Sequence, residues 1–212
     1  MTASIAGMTA PDTDVAAAAN ELASRLTSPL LLEHSRRVFY FSLLHADRLG
    51  TKVDAELLYI AALLHDSGLA VPFSEVTQRF EVDGADHGKA LLLDHGFSTT
   101  EADTVWTAIA LHTTPGIPSH MGAEIAALHF GVLTDVLGFG LDALDPLAVR
   151  AITDAHPRGD FKQGFLRAVV DGHRDRPDTA NGTVNSDILE HSDPDLHRTT
   201  TVERILGAPW TS

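Results

Sequence analysis

The sequence predicts an all-α fold, and three observations predict it. Apolar residues recur at helical spacing through most of the chain. Capping residues and Gly or Pro punctuate those runs at ordinary helix lengths. Alternation of β-branched residues over the length of a strand is absent. Taken in order, Asp14 can cap a helix over 15–26 that stops before Pro29. A second helix over 30–49 places Leu32, Val38, Phe39, Leu43 and Ala46 on one stripe and stops at Gly50. Asp54 caps a third over 55–66, apolar on nearly every face and therefore central. It closes at Gly68, where the chain is expected to turn with positive φ. Helices over 83–94, 100–112, 121–137, 145–156 and 161–173 follow, ending near Gly96, Pro115, Gly138, Pro157 and Asp175. The stretch 176–192 mixes Pro, Asp, Asn, Gly and Ser and reads as extended, with a short helix expected near 201–206. The division expected is a helical domain over 1–174 and a C-terminal tail over 175–212 that packs along it.

Composition narrows the functions open to such a chain. Its 212 residues are 44% apolar and 21% charged, enough to bury a core and too apolar for a largely disordered chain. Acidic residues outnumber basic ones 29 to 15, and the formal charge is −14. Lysine occurs only at Lys52, Lys89 and Lys162, and no basic patch is visible. Such a surface repels phosphate backbones and anionic lipid, so neither a nucleic-acid nor a membrane partner is expected. The absence of cysteine excludes disulfides, thiolate metal sites and cysteine nucleophiles, and suits a reducing cytoplasm, the expected location. The longest apolar run, 57–64, is far below the ~18 residues of a membrane span.

Twelve histidines in an acidic, cysteine-free chain call for an explanation. Imidazole and carboxylate together suit zinc, iron or manganese. The adjacent pair His65-Asp66 ends the most apolar helix, where burying two ionisable groups is costly unless a cation or partner compensates. Further ligands must come from other helices. His34 lies on the preceding helix, and Asp135 is an isolated acid in the apolar run 131–137, with Asp142 a nearby competitor. His87 and His112 sit on or at the end of intervening helices.

The order His34, His65-Asp66, Asp135 on successive helical segments resembles the HD-domain superfamily of metal-dependent hydrolases. Arg79-Phe80-Glu81-Val82-Asp83-Gly84-Ala85, followed by Ala108-Ile109-Ala110-Leu111-His112, resembles the HD subfamily related to cyanamide hydratase. The resemblance spans about 31–141. It implies a helical bundle, a divalent metal (zinc first, iron or manganese as alternatives) and His34, His65, Asp66 and Asp135 as its ligands. It also implies that Glu81 and His112 face the substrate cavity, and that His87 could serve a second metal in a dinuclear relative.

A divalent ion so held would acidify a bound water. Glu81 or Asp83 could orient that water and His112 could donate a proton to the developing anion. Asp83 reads rather as the cap of the following helix. The scarcity of Arg and Lys favours a small polar molecule over a phosphate ester as the substrate. A phosphohydrolase and a non-catalytic metal- or ligand-binding regulatory module are the alternatives. The remaining histidines, His129 among them, read as structural or solvated, and Phe39, Tyr40, Phe41 and Tyr59 as core. A homodimer through the tail is compatible with the sequence, though no apolar stripe demands one.

Overall fold

Capping chemistry sets where the helices begin. The computed structural model describes residues 4–74, 77–193, 195 and 197–209. Helix α1 (Asp14–Leu26) starts at Thr13, whose Oγ1 accepts from Ala16 N at 3.2 Å, one residue before the cap the sequence suggested. Helix α2 (Pro29–Arg48) has Ser28 as its cap and proline in its first turn, where a missing N–H costs nothing. Asp54 Oδ1 accepts from the Glu56 and Leu57 amides at 2.9 and 3.1 Å and starts α3 (Ala55–Leu64). A short α4 (Ser67–Ala70) follows directly. Then come α5 (Phe80–Asp94), α6 (Thr99–Leu111), α7 (Ala123–Leu137), α8 (Pro146–Ala155) and α9 (Phe161–His173). The all-α class is what the sequence predicts.

Helix α3 is central, as its uniform apolarity requires: Leu57, Leu58 and each residue from Ile60 to Leu64 are buried. It touches α1, α2, α5, α6 and α7, while the closest pairings are α2 with α7 and α5 with α6. A second cluster of Leu31, Leu69, Phe80 and Val169 ties α2, α4, α5 and α9 together. Among the described residues no helix is long and apolar enough to cross a membrane.

Three local expectations are corrected. Gly68 is not a positive-φ turn but part of α4; a Cβ there would lie 2.1 Å from Phe80 O, so the glycine permits α4 to press against α5. Helix α5 begins at Phe80, three residues earlier than expected, so Asp83 lies inside its first turn and does not cap it. Fully buried Asp83 instead accepts from Phe73 N at 3.1 Å, Gln78 Nε2 at 2.7 Å and Arg176 Nη1, pinning the loop before α5 and the end of α9. The stretch read as extended contains α10 (Asn185–Ser192), seated on α9 through Leu189 and Val170. The last helix, α11 (Thr201–Leu206), falls where the sequence puts it, with Thr200 and Glu203 forming a capping box.

Candidate metal centre

His34 and Arg37 are three residues apart on α2 and so share a face. His65 ends α3 and His112 ends α6, each as the residue after the last helical turn. In that position each imidazole folds back so that Nδ1 donates to the carbonyl three residues earlier. The bonds are His65 to Ala62 O at 2.7 Å and His112 to Ile109 O at 2.6 Å. His34 Nδ1 donates to Asp135 Oδ2 at 2.6 Å. With every Nδ1 carrying the proton, every Nε2 is left with a lone pair.

Those lone pairs converge. His34 Nε2 and His65 Nε2 are 3.1 Å apart, and Asp66 Oδ2 lies 3.6 Å from the first and 3.3 Å from the second. All three residues are buried, and among the described residues Asp66 Oδ2 has no hydrogen-bond partner. Acceptors facing acceptors in a dry interior are mutually repulsive unless a cation lies between them. His34, His65 and Asp66 therefore fit a divalent metal, their ligand atoms all within 4.8 Å of one another. Without the metal the cluster's titration shows the same need for positive charge. Burial disfavours a charged His65, yet Asp66 beside it raises its pKa above the ordinary value. Burial also disfavours the Asp66 carboxylate, but His65 and His112 hold its pKa well below the usual range. Burial dominates at His34 and lowers its pKa despite Asp135.

Asp135, expected as a fourth ligand, is placed differently. Among the described residues it reaches the centre through His34 alone, on the Nδ1 side of that ring, whereas Nε2 faces His65. Its oxygens are taken by Arg37 Nε and Nη2, at 2.8 and 2.9 Å, and by Arg158 Nη1. The Arg158 Nη2 group also donates to the Asp135 carbonyl at 2.9 Å, and both guanidiniums lie over the Phe161 ring. Burial opposes the charged carboxyl, but His34 and Arg37 hold Asp135 far below its ordinary pKa.

The other expected residues divide. His112 belongs to the centre: its ring meets His65 edge-on with centroids 4.8 Å apart, and its Nε2 is 3.6 Å from Asp66 Oδ1. Glu81 does not line the cavity. Its carboxylate accepts from Arg79 Nη2 at 2.9 Å, from Asn185 Nδ2 at 3.2 Å and from Thr113 Oγ1, so it braces the loop after His112 against α5 and α10. Burial acts against its charge, yet Arg79 and His112 lower its pKa. His87 lies outside the converging group, with Nδ1 3.0 Å from Ser67 Oγ and its ring against Phe73.

A cavity of about 220 Å³ opens over His34, His65, Asp66 and His112. Its walls are mainly apolar, with Phe80, Val132, Leu133, Val136, Phe165 and Ile188 supplying most of them. Thr113, His129 and Asn185 are the polar exceptions, and among the described residues neither lysine nor arginine lines it. Sequence reasoning placed Arg37 near the site but missed its pairing with Asp135, and it missed Arg158, His129, Asn185 and the α10 wall. A signal existed for one of them: His129, Val132 and Val136 recur at helical spacing on a single face of α7.

Comparison with curated proteins finds no match. The model of the family described as HD domain matches residues 31–154, more than half of the chain, and takes in His34, His65, Asp66, His112 and Asp135. A His/Asp cluster suited to a divalent metal, inside an all-α body and inside that match, has one reading: the chain belongs to the HD-domain family.

Proposed function

We propose that this protein is a metal-dependent hydrolase or hydratase that adds water to a small uncharged molecule of nitrile or amide type, in the manner of a cyanamide hydratase. The observation that supports this reading is the cavity itself: small, walled mainly by hydrocarbon and, among the described residues, lined by neither lysine nor arginine. Each guanidinium near it is already engaged in an ion pair, Arg37 and Arg158 sharing Asp135 and Arg79 held by Glu81, and none of the three lines the cavity. Phosphoryl transfer relies on Arg, Lys or metal charge around three equatorial oxygens, and these walls offer no side-chain cation.

His34, His65 and Asp66 would hold the ion, with zinc as the first expectation. When bound, a divalent ion acidifies water to near neutrality and polarises the group under attack. The protein's own residues do the rest. Asp135 and the two arginines behind it fix the His34 ring. His112 presents an Nε2 lone pair beside Asp66, suited to take a proton from the attacking water and give it to the nitrogen of a nitrile as one carbon–nitrogen π bond opens. The resulting imidic acid passes its O–H proton to nitrogen to become the amide, and the C–N σ bond stays intact. Glu81 holds Thr113 and so keeps the end of α6 in register. The apolar walls exclude bulk water from the reacting atoms.

Elemental analysis of purified protein is expected to find a divalent metal, and His65→Ala is expected to lose it. A panel of cyanamide, aliphatic nitriles and amides beside nucleotides and simple phosphoesters, run with zinc, manganese and iron, tests the substrate class. Turnover confined to the phosphoesters would overturn the proposal, and metal binding with no turnover of either class would point to a regulatory module.

A further inference from the structure

His129 stands apart from the other histidines of the cavity. It is 3% exposed and forms part of the wall rather than the base. Its Nδ1 donates to the His112 carbonyl at 3.0 Å, which fixes the neutral tautomer with the lone pair on Nε2. Among the described residues that Nε2 has no hydrogen-bond partner. Burial keeps the ring uncharged by lowering its pKa. It is thus a hydrogen-bond acceptor, set on the same α7 face as Val132 and Val136 and inside a cavity closed elsewhere by Phe165 and Ile188. An acceptor among apolar neighbours gains from a donor, and among the described residues no protein group supplies one.

We propose that His129 is the substrate-recognition residue of this site. Its Nε2 accepts a hydrogen bond from an N–H of a small neutral substrate, whose short hydrocarbon part lies against Val132, Val136, Phe165 and Ile188. This rests on the hydratase or hydrolase reading above and narrows it to substrates or products bearing a carboxamide or amino N–H together with a few carbons. The 220 Å³ cavity is smaller than the ~300–1,000 Å³ pockets that take drug-sized ligands, so the hydrocarbon part must be short. A site built to pair a polar group rejects the isostere that lacks it far more strongly than an apolar pocket rejects a missing methylene.

The test is binding rather than turnover. Zinc-loaded protein is titrated calorimetrically with pentanamide and with 2-hexanone, in which a methyl group replaces the NH₂ at nearly equal size. Wild type is expected to prefer the amide by at least about tenfold. His129→Leu is expected to lose that preference by weakening the amide alone, and His129→Gln, which keeps an acceptor, to restore part of it, with metal content unchanged in both. Equal affinity of wild type for amide and ketone, or a preference that survives in His129→Leu, would overturn the proposal, as would failure of the amide to bind. A protein that binds the amide through His129 yet turns over no nitrile or amide would sink the catalytic reading and leave this recognition site standing.

Discussion

The chemistry of the centre rests on where single protons sit. His34, His65 and His112 each commit Nδ1 to an acceptor and so free Nε2, and in His34 that acceptor is the carboxylate of Asp135. A carboxylate behind a ligating imidazole fixes its tautomer and raises its basicity, and loss of such a partner typically weakens metal binding ~10–100-fold. Asp135 is also the shared ion-pair partner of Arg37 and Arg158, so Asp135→Asn would leave the buried Arg37 guanidinium without a counterion. The expected outcome is both a 10–100-fold loss of zinc affinity in chelator competition and roughly 3–5 kcal/mol of lost stability in urea unfolding. Wild-type zinc affinity in that variant would show that Asp135 does not act through His34. Sequence pointed to His65 and Asp66 because adjacent ionisable residues at the end of an apolar helix are conspicuous, and to His34 and His112 through the order of motifs that resembles the HD-domain superfamily. It did not carry the arginine pair, because Arg37 and Arg158 reach Asp135 from 98 and 23 residues away and only the folded chain sets those distances.

Helices α2 and α7 set the relation of His34 to its support, with His34 and Arg37 on one and His129 and Asp135 on the other. Their contact is close because Gly131 faces the α2 backbone: a Cβ there would lie 2.1 Å from Ser42 Oγ and 2.6 Å from Val38 O. The serine can rotate away, but the carbonyl cannot. Gly131→Ala should therefore force α7 outward, costing roughly 1–3 kcal/mol as overpacking does and weakening zinc binding through the displaced Asp135–His34 pair. A variant with wild-type melting temperature and zinc affinity would mean the helices have slack that this geometry denies. At this scale the sequence was largely legible. Caps and stops placed most helix ends within a residue or two, since cap chemistry is local. Helix α10 was not legible, for two reasons. Its Asp, Asn and Ser residues favour turns, and its apolar pair Ile188-Leu189 is too short to show a period. It is packing on α9 that makes it helical, and through it Asn185 and Ile188 reach the cavity.

Across the whole molecule, buried ionisable groups make stability depend on pH in one dominant direction. His45 is fully buried on α2, where its Nε2 donates to Thr134 Oγ1 at 2.7 Å while its Nδ1 has no partner among the described residues. Thr134 Oγ1 already donates to Phe139 O at 2.8 Å, so the ring can neither change tautomer nor accept a second proton without stranding an N–H. Burial, helped by the nearby Arg48, lowers its pKa to about 4 against an ordinary imidazole value of 6.5. Between those values the unfolded chain takes the proton and the folded one does not, so stability falls as pH drops through that window. The buried carboxylates Glu81 and Asp135 are shifted below their ordinary values, so their contribution is present above those values and lost in still more acid solution. Relief of the self-repulsion of a chain of charge −14 opposes this loss, but that repulsion is spread over the surface and screened within ~10 Å at 0.1 M salt. His65 also runs the other way in the metal-free protein, because Asp66 raises it and its contribution fades as pH climbs through the raised value. His45 is remote from the centre and so gives the clean test. With its pKa at about 4, the shift corresponds to roughly 3 kcal/mol between neutral pH and pH 4. Urea unfolding of zinc-loaded protein at pH 7.5, 5.5 and 4.5 should show wild-type stability dropping steadily. His45→Gln, which can still donate to Thr134 but binds no proton, should drop by about 2–3 kcal/mol less over that range. Parallel profiles for the two proteins would mean that the buried ring is not what makes the fold acid-labile.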